Sequence, residues 1–258
     1  DKLYRESQFK TLQSTDFKGL LTQDKVIKPN QTGLSLAWSY MPHSFGIRCG
    51  KMKTPMEIYT NEEHFKKGIR KLLTGSFFGQ VSVDDIMPIA NNLYGEITEI
   101  SPASKHKSES IMRSLLRRYT GTQCVSNFRP TAAAAMYDIF VDTDSPLEGT
   151  TAGTVWDPSM GYGGRLLGAI AAGVNYIGTD PCIPTYEGLE KIRDDYGHEH
   201  RSYTLLRQGS ETYIPEDNSL DFVFTSPPYF GWEAYGDEPE QSSIKFSTSD
   251  VWKEKFLK

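Results

Sequence analysis

The sequence predicts an α/β protein whose C-terminal part, residues 121–258, forms a doubly wound and mostly parallel sheet. Two observations favour it: from about residue 121, short apolar runs typical of strands alternate with longer helical stretches, and the loops between them are short. In addition, several of the strand-like runs end in polar, glycine or proline residues, at the edge where open α/β sheets bind ligands. Residues 1–120 precede this part as an α+β region with a less regular pattern.

The predicted elements of the C-terminal part follow one another with little connecting chain. Pro130 and the alanines after it predict a helix from about residue 130 that packs closely on a neighbour. Four β-branched or aromatic runs then predict strands, with helical stretches between them. The strands are expected at 153–157, 175–180, 202–208 and 220–226, and the helices at 163–173, 184–197 and, after the last strand, 247–258.

Residues 1–120 give a weaker pattern. The segment 34–50, which a proline and a glycine interrupt, predicts one or two strands. Apolar spacing and a polar stretch elsewhere predict two helices and an exposed linker, at 61–73, 108–119 and 101–109. The sequence therefore divides into an N-terminal region, 1–120, and a C-terminal domain, 121–258.

The net charge of −5 hides an asymmetry along the chain. Residues 1–120 carry 18 Lys and Arg against 12 Asp and Glu, whereas residues 121–258 carry 10 against 21. An excess of basic residues suits contact with a polyanion. We therefore expect the first region to bind a polyanionic partner and the second to carry the chemistry.

Composition narrows the class of protein. No run approaches the roughly 18 apolar residues that a membrane helix needs, and the first ten residues lack the apolar core of a signal peptide. The three cysteines lie far apart without a Cys-x-x-Cys pair, which argues against a disulfide framework or a zinc site. We expect a cytoplasmic protein with no metal site.

The stretch DPSMGYGGRLLGA begins at Asp157, where a predicted strand ends and a helix follows. Its glycines, Gly161, Gly163 and Gly164, allow a tight turn close to a ligand, and the helix N-terminus adds free N–H donors. The spacing is not that of a dinucleotide-binding loop, because Leu166 stands where the third glycine is required. The carboxylate of Asp157 would repel a pyrophosphate and suit a cationic group, which favours a nucleoside that bears an amino acid.

Two further predicted strands end in residues that could contact a ligand. Asp180 ends the second predicted strand, where a carboxylate can accept hydrogen bonds from both hydroxyls of a ribose. The fourth strand runs into SPPYF, which begins at Ser226. Each proline restricts the residue before it, so this segment is stiff and extended. It predicts a rigid ligand-contacting edge.

In this order and on successive strands, DPSMGYGG, GTD and TSPPYF resemble the motifs of the S-adenosylmethionine-dependent DNA amino-methyltransferases. The resemblance covers roughly residues 125–232, and its Ser-Pro-Pro-Tyr form is similar to the cytosine-N4 branch. It implies a Rossmann-like sheet and a site-specific enzyme of a bacterial, archaeal or phage-infected cell that methylates the amino group of a base flipped out of duplex DNA. Adenine N6 in DNA, or an RNA amino group, is the alternative substrate. A non-catalytic nucleic-acid-binding module is the alternative class.

The resemblance also implies roles for individual residues. Ser226 and the carbonyl of Pro227 would accept hydrogen bonds from the target amino group. Pro228 would help to fix that carbonyl, and Tyr229 would stack on the flipped base. The implied contacts to S-adenosylmethionine are Asp157, Pro158, Ser159, Gly161, Gly163, Gly164, Asp180, Ser210, Phe128 and Thr131.

The chain departs from the family's pattern in two places. After the third strand the family usually has Gly-Asp, where this chain has Gly209 and Ser210. In addition, the chain extends only about 30 residues beyond Tyr229, whereas the family's sheet continues. The fourth strand would then be an exposed apolar edge. We expect a second chain, a further C-terminal segment or a strand from 33–60 to complete the sheet.

Overall fold

The computed structural model describes residues 2–61, 63–64, 122–141 and 152–257. The chain forms two compact units, Asp1–Ser44 with Ser126–Lys258, and Phe45–Val125. Most of the helix predicted at 61–73, the helix predicted at 108–119 and the linker predicted at 101–109 lie outside the described residues. Within the described ranges, no helix has the length and apolar character that crossing a membrane requires.

The described elements are short, and we number them in chain order. The strands are β1 (Arg48–Cys49), β2 (Thr154–Asp157), β3 (Asn175–Thr179), β4 (Tyr203–Leu206), β5 (Phe222–Val223) and β6 (Glu233–Ala234). The helices are α1 (Lys2–Gln13), α2 (Leu34–Ser39), α3 (Pro55–Tyr59), α4 (Pro130–Phe140), α5 (Gly164–Ala172), α6 (Ile183–Tyr196), α7 (Ser242–Lys245) and α8 (Ser249–Lys255). Each strand and helix predicted for residues 121–258 is confirmed; most have shorter bounds, and α6 has the predicted length but begins one residue earlier.

Four of the strands form one sheet in the order β4–β3–β2–β5. Every neighbouring pair is parallel: Val155 of β2 pairs with Tyr176 of β3 and with Phe222 of β5. The α/β fold class with a parallel sheet is therefore confirmed. From β2 the chain winds outward through β3 and β4, then returns to the other side of β2 to form β5. The strand order reverses at β2, and such a reversal leaves a ligand-binding crevice at the carboxyl ends of the strands.

Helix α4 supports the sheet through its small side chains. Ala132, Ala133, Ala134 and Ala135 are all buried, and α4 packs along α5. Alanine favours the helix and keeps the two helix axes close. Near the C-terminal end of α4, the ring of Phe140 stacks on Phe222 of β5 with centroids 5.3 Å apart.

The first 44 residues belong to the unit that contains the sheet. Phe9 of α1 stacks on Tyr196 at the end of α6, with ring centroids 4.2 Å apart. Tyr40 donates a hydrogen bond of 2.5 Å to Asp195. Buried apolar side chains of α1 and α2 hold this segment to the rest of the unit that contains the sheet.

The segment 34–50 is mostly helical, and the prediction of one or two strands there is largely wrong. It forms α2 and a 3-10 helix, Pro42–Gly46, and only Arg48 and Cys49 are extended. Leu36, Ala37 and Tyr40 are buried at spacings of three and four residues. That spacing places them on one face of a helix, and it outweighs the apparent alternation.

Strand β5 is an edge of the described sheet. It pairs with β2, and none of the described strands pairs with its other side. A strand from 33–60 does not lie there, so that alternative is wrong. Val223 is 52% exposed, whereas Phe222 and Phe224 pack against aromatic rings of α4. Completion of the sheet by a further segment or a second chain stays a prediction.

Candidate active site

A cavity of about 300 Å³ lies at the carboxyl ends of the four parallel strands. Its wall includes residues that follow β2, β3, β4 and β5, so it occupies the crevice expected where the strand order reverses. Its volume is at the lower end of the range for small-molecule sites.

Most of the residues that the sequence predicted for the site meet in this cavity. The lining includes Phe128, Pro158, Ser159, Gly161, Asp180, Ser210, Ser226, Pro228 and Tyr229. The other predicted site residues, which do not line it, are Asp157, Gly163, Gly164, Thr131 and Pro227. The glycine loop, residues 157–164, and the SPPY segment, residues 226–229, thus both contribute to the lining of one cavity, although they lie about 65 residues apart in the chain.

Hydrogen bonds tie the strand ends together. The N–H of Ser159, in the loop after β2, donates to Oγ1 of Thr225 at 3.0 Å, just before Ser226. The hydroxyl of Thr179, at the end of β3, donates to the carbonyl of Pro158 at 2.7 Å. Because these bonds hold the loop after β2 from both sides, the glycine loop and the SPPY segment are fixed relative to each other before any ligand binds.

Asp157 faces away from the cavity and is fully buried. Its Oδ2 accepts a hydrogen bond of 2.6 Å from Nε of Arg165 and one of 2.7 Å from the hydroxyl of Tyr176. Arg165 also donates to the carbonyl of Ser159. Burial disfavours the charge of Arg165, but the adjacent Asp157 carboxylate raises the pKa of the guanidinium above its usual value. Asp157 therefore supports the loop, and the ligand contact predicted for it stays a prediction.

Gly163 and Gly164 also shape the loop from outside the cavity lining. Gly163 has a φ of +81°, which favours glycine, and a Cβ there would lie 2.6 Å from Cδ1 of Ile192. A Cβ on Gly164 would overlap the carbonyl oxygen of Phe128. The two glycines let α5 begin against the 127–128 backbone, and that backbone carries Phe128 into the cavity wall.

Thr131 has a structural partner of its own. It is buried, and its hydroxyl donates a hydrogen bond of 2.7 Å to the carbonyl of Asn30. It joins the N-terminal segment to α4, so the structure gives it a packing role. Phe128, three residues earlier, lies 5.7 Å from the guanidinium carbon of Arg165 and contributes an aromatic surface to the site.

Asp180 presents its carboxylate to the cavity. Oδ1 accepts a hydrogen bond of 2.9 Å from the N–H of Cys182, and Oδ2 accepts one of 3.3 Å from the N–H of Gly161. Burial raises the pKa of Asp180 to about 7, and the two N–H donors only partly offset this effect. Each oxygen has accepted one backbone donor and retains a lone pair for a ligand hydroxyl.

The SPPY segment forms the opposite wall. Ser226 and Pro228 line the cavity, and Tyr229 lies at its mouth with 52% of its surface exposed. The backbone N–H of Tyr229 donates a hydrogen bond of 3.2 Å to the hydroxyl of Tyr235. This bond fixes the backbone and leaves the ring of Tyr229 accessible to a planar group.

Sequence reasoning missed several residues of the cavity wall. Tyr162 and Arg165 lie in or beside the glycine loop, and their presence in that motif was a usable signal. Glu233 and Tyr235 follow the SPPY segment in a stretch where acidic and aromatic residues alternate, and no motif indicated that this stretch reaches the cavity. The others are Ser126, Asn127, Thr179, Pro181, Cys182, Thr185, Gly209, Glu240, Gln241, Ser242 and Phe256.

The wall of the cavity is acidic. Asp180, Glu233 and Glu240 contribute carboxylates, whereas the charge of Arg165 is opposed by the buried Asp157. Such a wall repels phosphate groups and attracts cations. The cavity therefore suits a positively charged, phosphate-free ligand better than a dinucleotide.

Comparison with known proteins adds little to this picture. No family model and no curated protein matches the chain. Among solved structures, the chain is similar to the methyltransferase subunit of a type I restriction-modification system from Streptococcus thermophilus, with 14% identity over all of this chain and 67% of that one. The TM-score is 0.28, and a likeness of that strength carries no weight for function.

Proposed function

We propose that the chain is an S-adenosylmethionine-dependent methyltransferase that acts on the exocyclic amino group of a DNA base, with cytosine N4 as the favoured target. One observation carries the proposal: the glycine loop after β2, Asp180 after β3 and the SPPY segment after β5 line a single cavity where the strand order reverses. Each motif is weak alone, and their convergence on one crevice is what supports a shared reaction.

The residues present fit S-adenosylmethionine. Asp180 keeps acceptor capacity for two ribose hydroxyls, because its carboxylate takes only one backbone donor on each oxygen. Ser210, after β4, lines the cavity and would contact the adenine. The acidic wall suits the sulfonium and ammonium charges of this cofactor. Arg165, the basic residue among the described residues of the lining, is paired with Asp157, which disfavours a cofactor that bears phosphates.

The SPPY segment provides the means to orient an amino group. When bound, S-adenosylmethionine supplies an electrophilic methyl group. The hydroxyl of Ser226 accepts a hydrogen bond from the target amine, and the carbonyl of Pro227 accepts a second. These bonds draw the nitrogen toward a tetrahedral arrangement and aim its lone pair. The prolines hold the acceptors in place at little entropic cost.

A base from a nucleic acid is the substrate that the cavity mouth suits. Tyr229, the last residue of the SPPY segment, is 52% exposed, and Trp232, three residues later in the chain, is 47% exposed. Exposed aromatic rings stack on bases that leave the helical stack. The basic excess of residues 1–120 is the source that we propose for contacts to DNA phosphates.

Methyl transfer to DNA is the direct test. The purified chain is incubated with labelled S-adenosylmethionine and duplex DNA that lacks methylated bases, and the digested nucleosides are identified by mass spectrometry. We expect labelled N4-methylcytosine from the duplex and none from RNA of the same sequence. A Tyr229→Ala variant is the control for label that does not arise at the site.

Other products would change the assignment. N6-methyladenine would keep the enzyme class and replace the base, and label in RNA would replace the nucleic acid. Binding of the cofactor with no transfer to any nucleic acid would favour a non-catalytic module that retains the fold. No cofactor binding by the folded chain would contradict the proposal as a whole.

A further inference from the structure

The cavity contains a buried carboxylate that the proposed roles of the SPPY segment leave unused. Glu233, the first residue of β6, is 7% exposed and lines the cavity. A glutamate this buried is uncommon unless it is paired or takes part in chemistry. It lies four residues beyond Tyr229, in a stretch where the sequence analysis identified no function.

Contacts place Glu233 on the SPPY side of the cavity. The hydroxyl of Tyr235 donates a hydrogen bond to the Glu233 carboxylate. Burial raises the pKa of Tyr235, and this hydrogen bond raises it further. The same hydroxyl accepts the N–H of Tyr229 at 3.2 Å. The order Tyr229, Tyr235, Glu233 is thus a continuous hydrogen-bonded chain from the SPPY segment to the carboxylate. Asp180 is held separately by Gly161 and Cys182.

The proposed reaction needs a proton acceptor that Ser226 cannot be. An amine that gains a methyl group becomes a cation and must lose a proton to give the neutral product. A serine hydroxyl accepts a hydrogen bond but does not hold a proton at neutral pH, and no histidine is among the described residues that line the cavity. Glu233 can accept a proton, because an ionised carboxylate offers about four lone-pair sites on its two oxygens.

We infer that Glu233 faces the reacting nitrogen and accepts its proton, an inference that rests on the proposed function. The nitrogen lone pair forms the new N–C bond while the C–S bond breaks, and that electron pair remains on sulfur. One N–H proton of the resulting ammonium passes to Glu233, which releases it to solvent with the products. The positive charge on sulfur is lost when the C–S bond breaks, and a positive charge forms on the nitrogen. Transfer of the proton to the Glu233 carboxylate then leaves both groups neutral.

The first test measures catalysis in a Glu233→Gln variant of the full chain. Glutamine keeps an acceptor for the Tyr235 hydroxyl but takes no proton. We expect the single-turnover rate on duplex DNA, measured at saturating S-adenosylmethionine, to fall at least about 100-fold, the usual contribution of a general base. Glu216→Gln, an exposed acid outside the cavity lining, is the matched control and should keep the full rate.

The second test does not depend on activity. In sinefungin a protonated amino group replaces the transferred methyl, so the analogue carries a cation where the reaction occurs. S-adenosylhomocysteine lacks that cation. Calorimetry should show that the wild-type chain prefers sinefungin, and that Glu233→Gln loses about tenfold or more of sinefungin affinity with S-adenosylhomocysteine unchanged. Equal losses for both ligands, or none for either, would overturn the inference.

A third variant covers the case in which Glu233→Gln does not fold. Tyr235→Phe removes the hydroxyl that holds the carboxylate, so Tyr235 acts as a positioning residue. We expect a smaller fall in rate, about tenfold, and a weakened preference for sinefungin. A wild-type rate and preference in this variant would overturn the inference.

The results separate this inference from the proposed function. If Glu233→Gln transfers methyl groups and binds sinefungin as the wild type does, the inference fails and the methyltransferase assignment stands. If the wild-type chain binds neither S-adenosylmethionine nor its analogues, both fail. A rate loss together with selective loss of sinefungin affinity supports the two together.

Discussion

The ends of β2 and β3 lie side by side, and each carries an aspartate for which the sequence suggested a ligand contact. At the end of β2, Asp157 is fully buried, and its carboxylate is held by Arg165 and Tyr176. After β3, Asp180 opens on the cavity with only backbone N–H donors on its oxygens, and its pKa rises to about 7. Neighbouring strand ends therefore use the same side chain in two different ways.

The difference shows that local partners, more than the motif itself, decide what such a carboxylate does. A guanidinium within hydrogen-bonding distance turns Asp157 into a fixed part of the framework. Asp180 has no described cation as a hydrogen-bond partner, so its charge is poorly stabilised until a ligand supplies donors. The first residue should matter mainly for folding, and the second mainly for binding. The predictions below test this distinction.

The largest effect is expected from removing the guanidinium. Arg165→Met leaves the Asp157 charge buried without its partner, which typically costs about 3–5 kcal/mol of folding free energy. Urea denaturation followed by circular dichroism measures it. Arg193→Met is the control, because Arg193 forms its ion pairs on an exposed face of α6, and such pairs contribute about 0–1 kcal/mol. Equal losses in the two variants would contradict the framework role.

The next effect concerns the β3 end. Asp180→Asn should lower S-adenosylmethionine affinity by about 1.5–3 kcal/mol, the value of hydrogen bonds to a charged group, and leave the fold intact. Titration calorimetry measures the affinity. Asp194→Asn changes an exposed aspartate on α6 in the same way and should bind like the wild type. An unchanged affinity in Asp180→Asn would show that this carboxylate does not hold the cofactor.

Asp180 should also alter stability with pH. Its folded pKa of about 7 lies above the unfolded value of about 3.9, so the protonated carboxyl favours the folded state. This contribution is complete below about pH 4 and is lost as the pH rises through 7. Ligand-free Asp180→Asn should therefore unfold at a higher urea concentration than the wild type at pH 8, by about 1–2 kcal/mol. The difference should shrink toward pH 5, and a constant difference would contradict it.

The same titration should appear in cofactor binding, with the opposite dependence. Ribose hydroxyls donate to the ionised carboxylate, so bound cofactor lowers the pKa of Asp180. Affinity should be level above about pH 7 and fall by up to about tenfold per unit below it. Asp180→Asn should show a flat profile between pH 5.5 and 8. A parallel fall in the variant would assign the titration to another group.

The sheet could be predicted from sequence because its strands are short β-branched and aromatic runs with clear ends. The runs that contain β2 and β3 were predicted within a few residues of the described strands. The segment 34–50 could not be read in the same way, because Trp38 and Tyr40 favour strands by composition while the burial of Leu36, Ala37 and Tyr40 follows a helix. Tertiary packing on the α/β unit decides that conflict.

The site was predictable only where a motif ends a strand. Pro158, Asp180 and Ser226 reach the cavity because the carboxyl ends of parallel strands meet at one edge. The pairing of Asp157 with Arg165 depends on where the first turn of α5 points, which the spacing does not fix. Glu233 reaches the cavity because the chain turns back after the SPPY segment, and no local pattern encodes that return.

The end of β5 extends the comparison to an aromatic side chain. Tyr229 contacts the protein through its backbone N–H, and its ring is half exposed. If the ring stacks on the flipped base, Tyr229→Ala should lose about 1–3 kcal/mol of binding to duplex DNA, the value of one base stacked on an aromatic side chain. Tyr229→Phe keeps the ring face and should bind and methylate within about twofold of the wild type. Fluorescence anisotropy and single-turnover rates measure the two quantities. Equal losses in both variants would assign the effect to the phenol hydroxyl. Tyr229 would then resemble Asp157, whose polar partners hold it in place, more than a side chain that is open to a ligand.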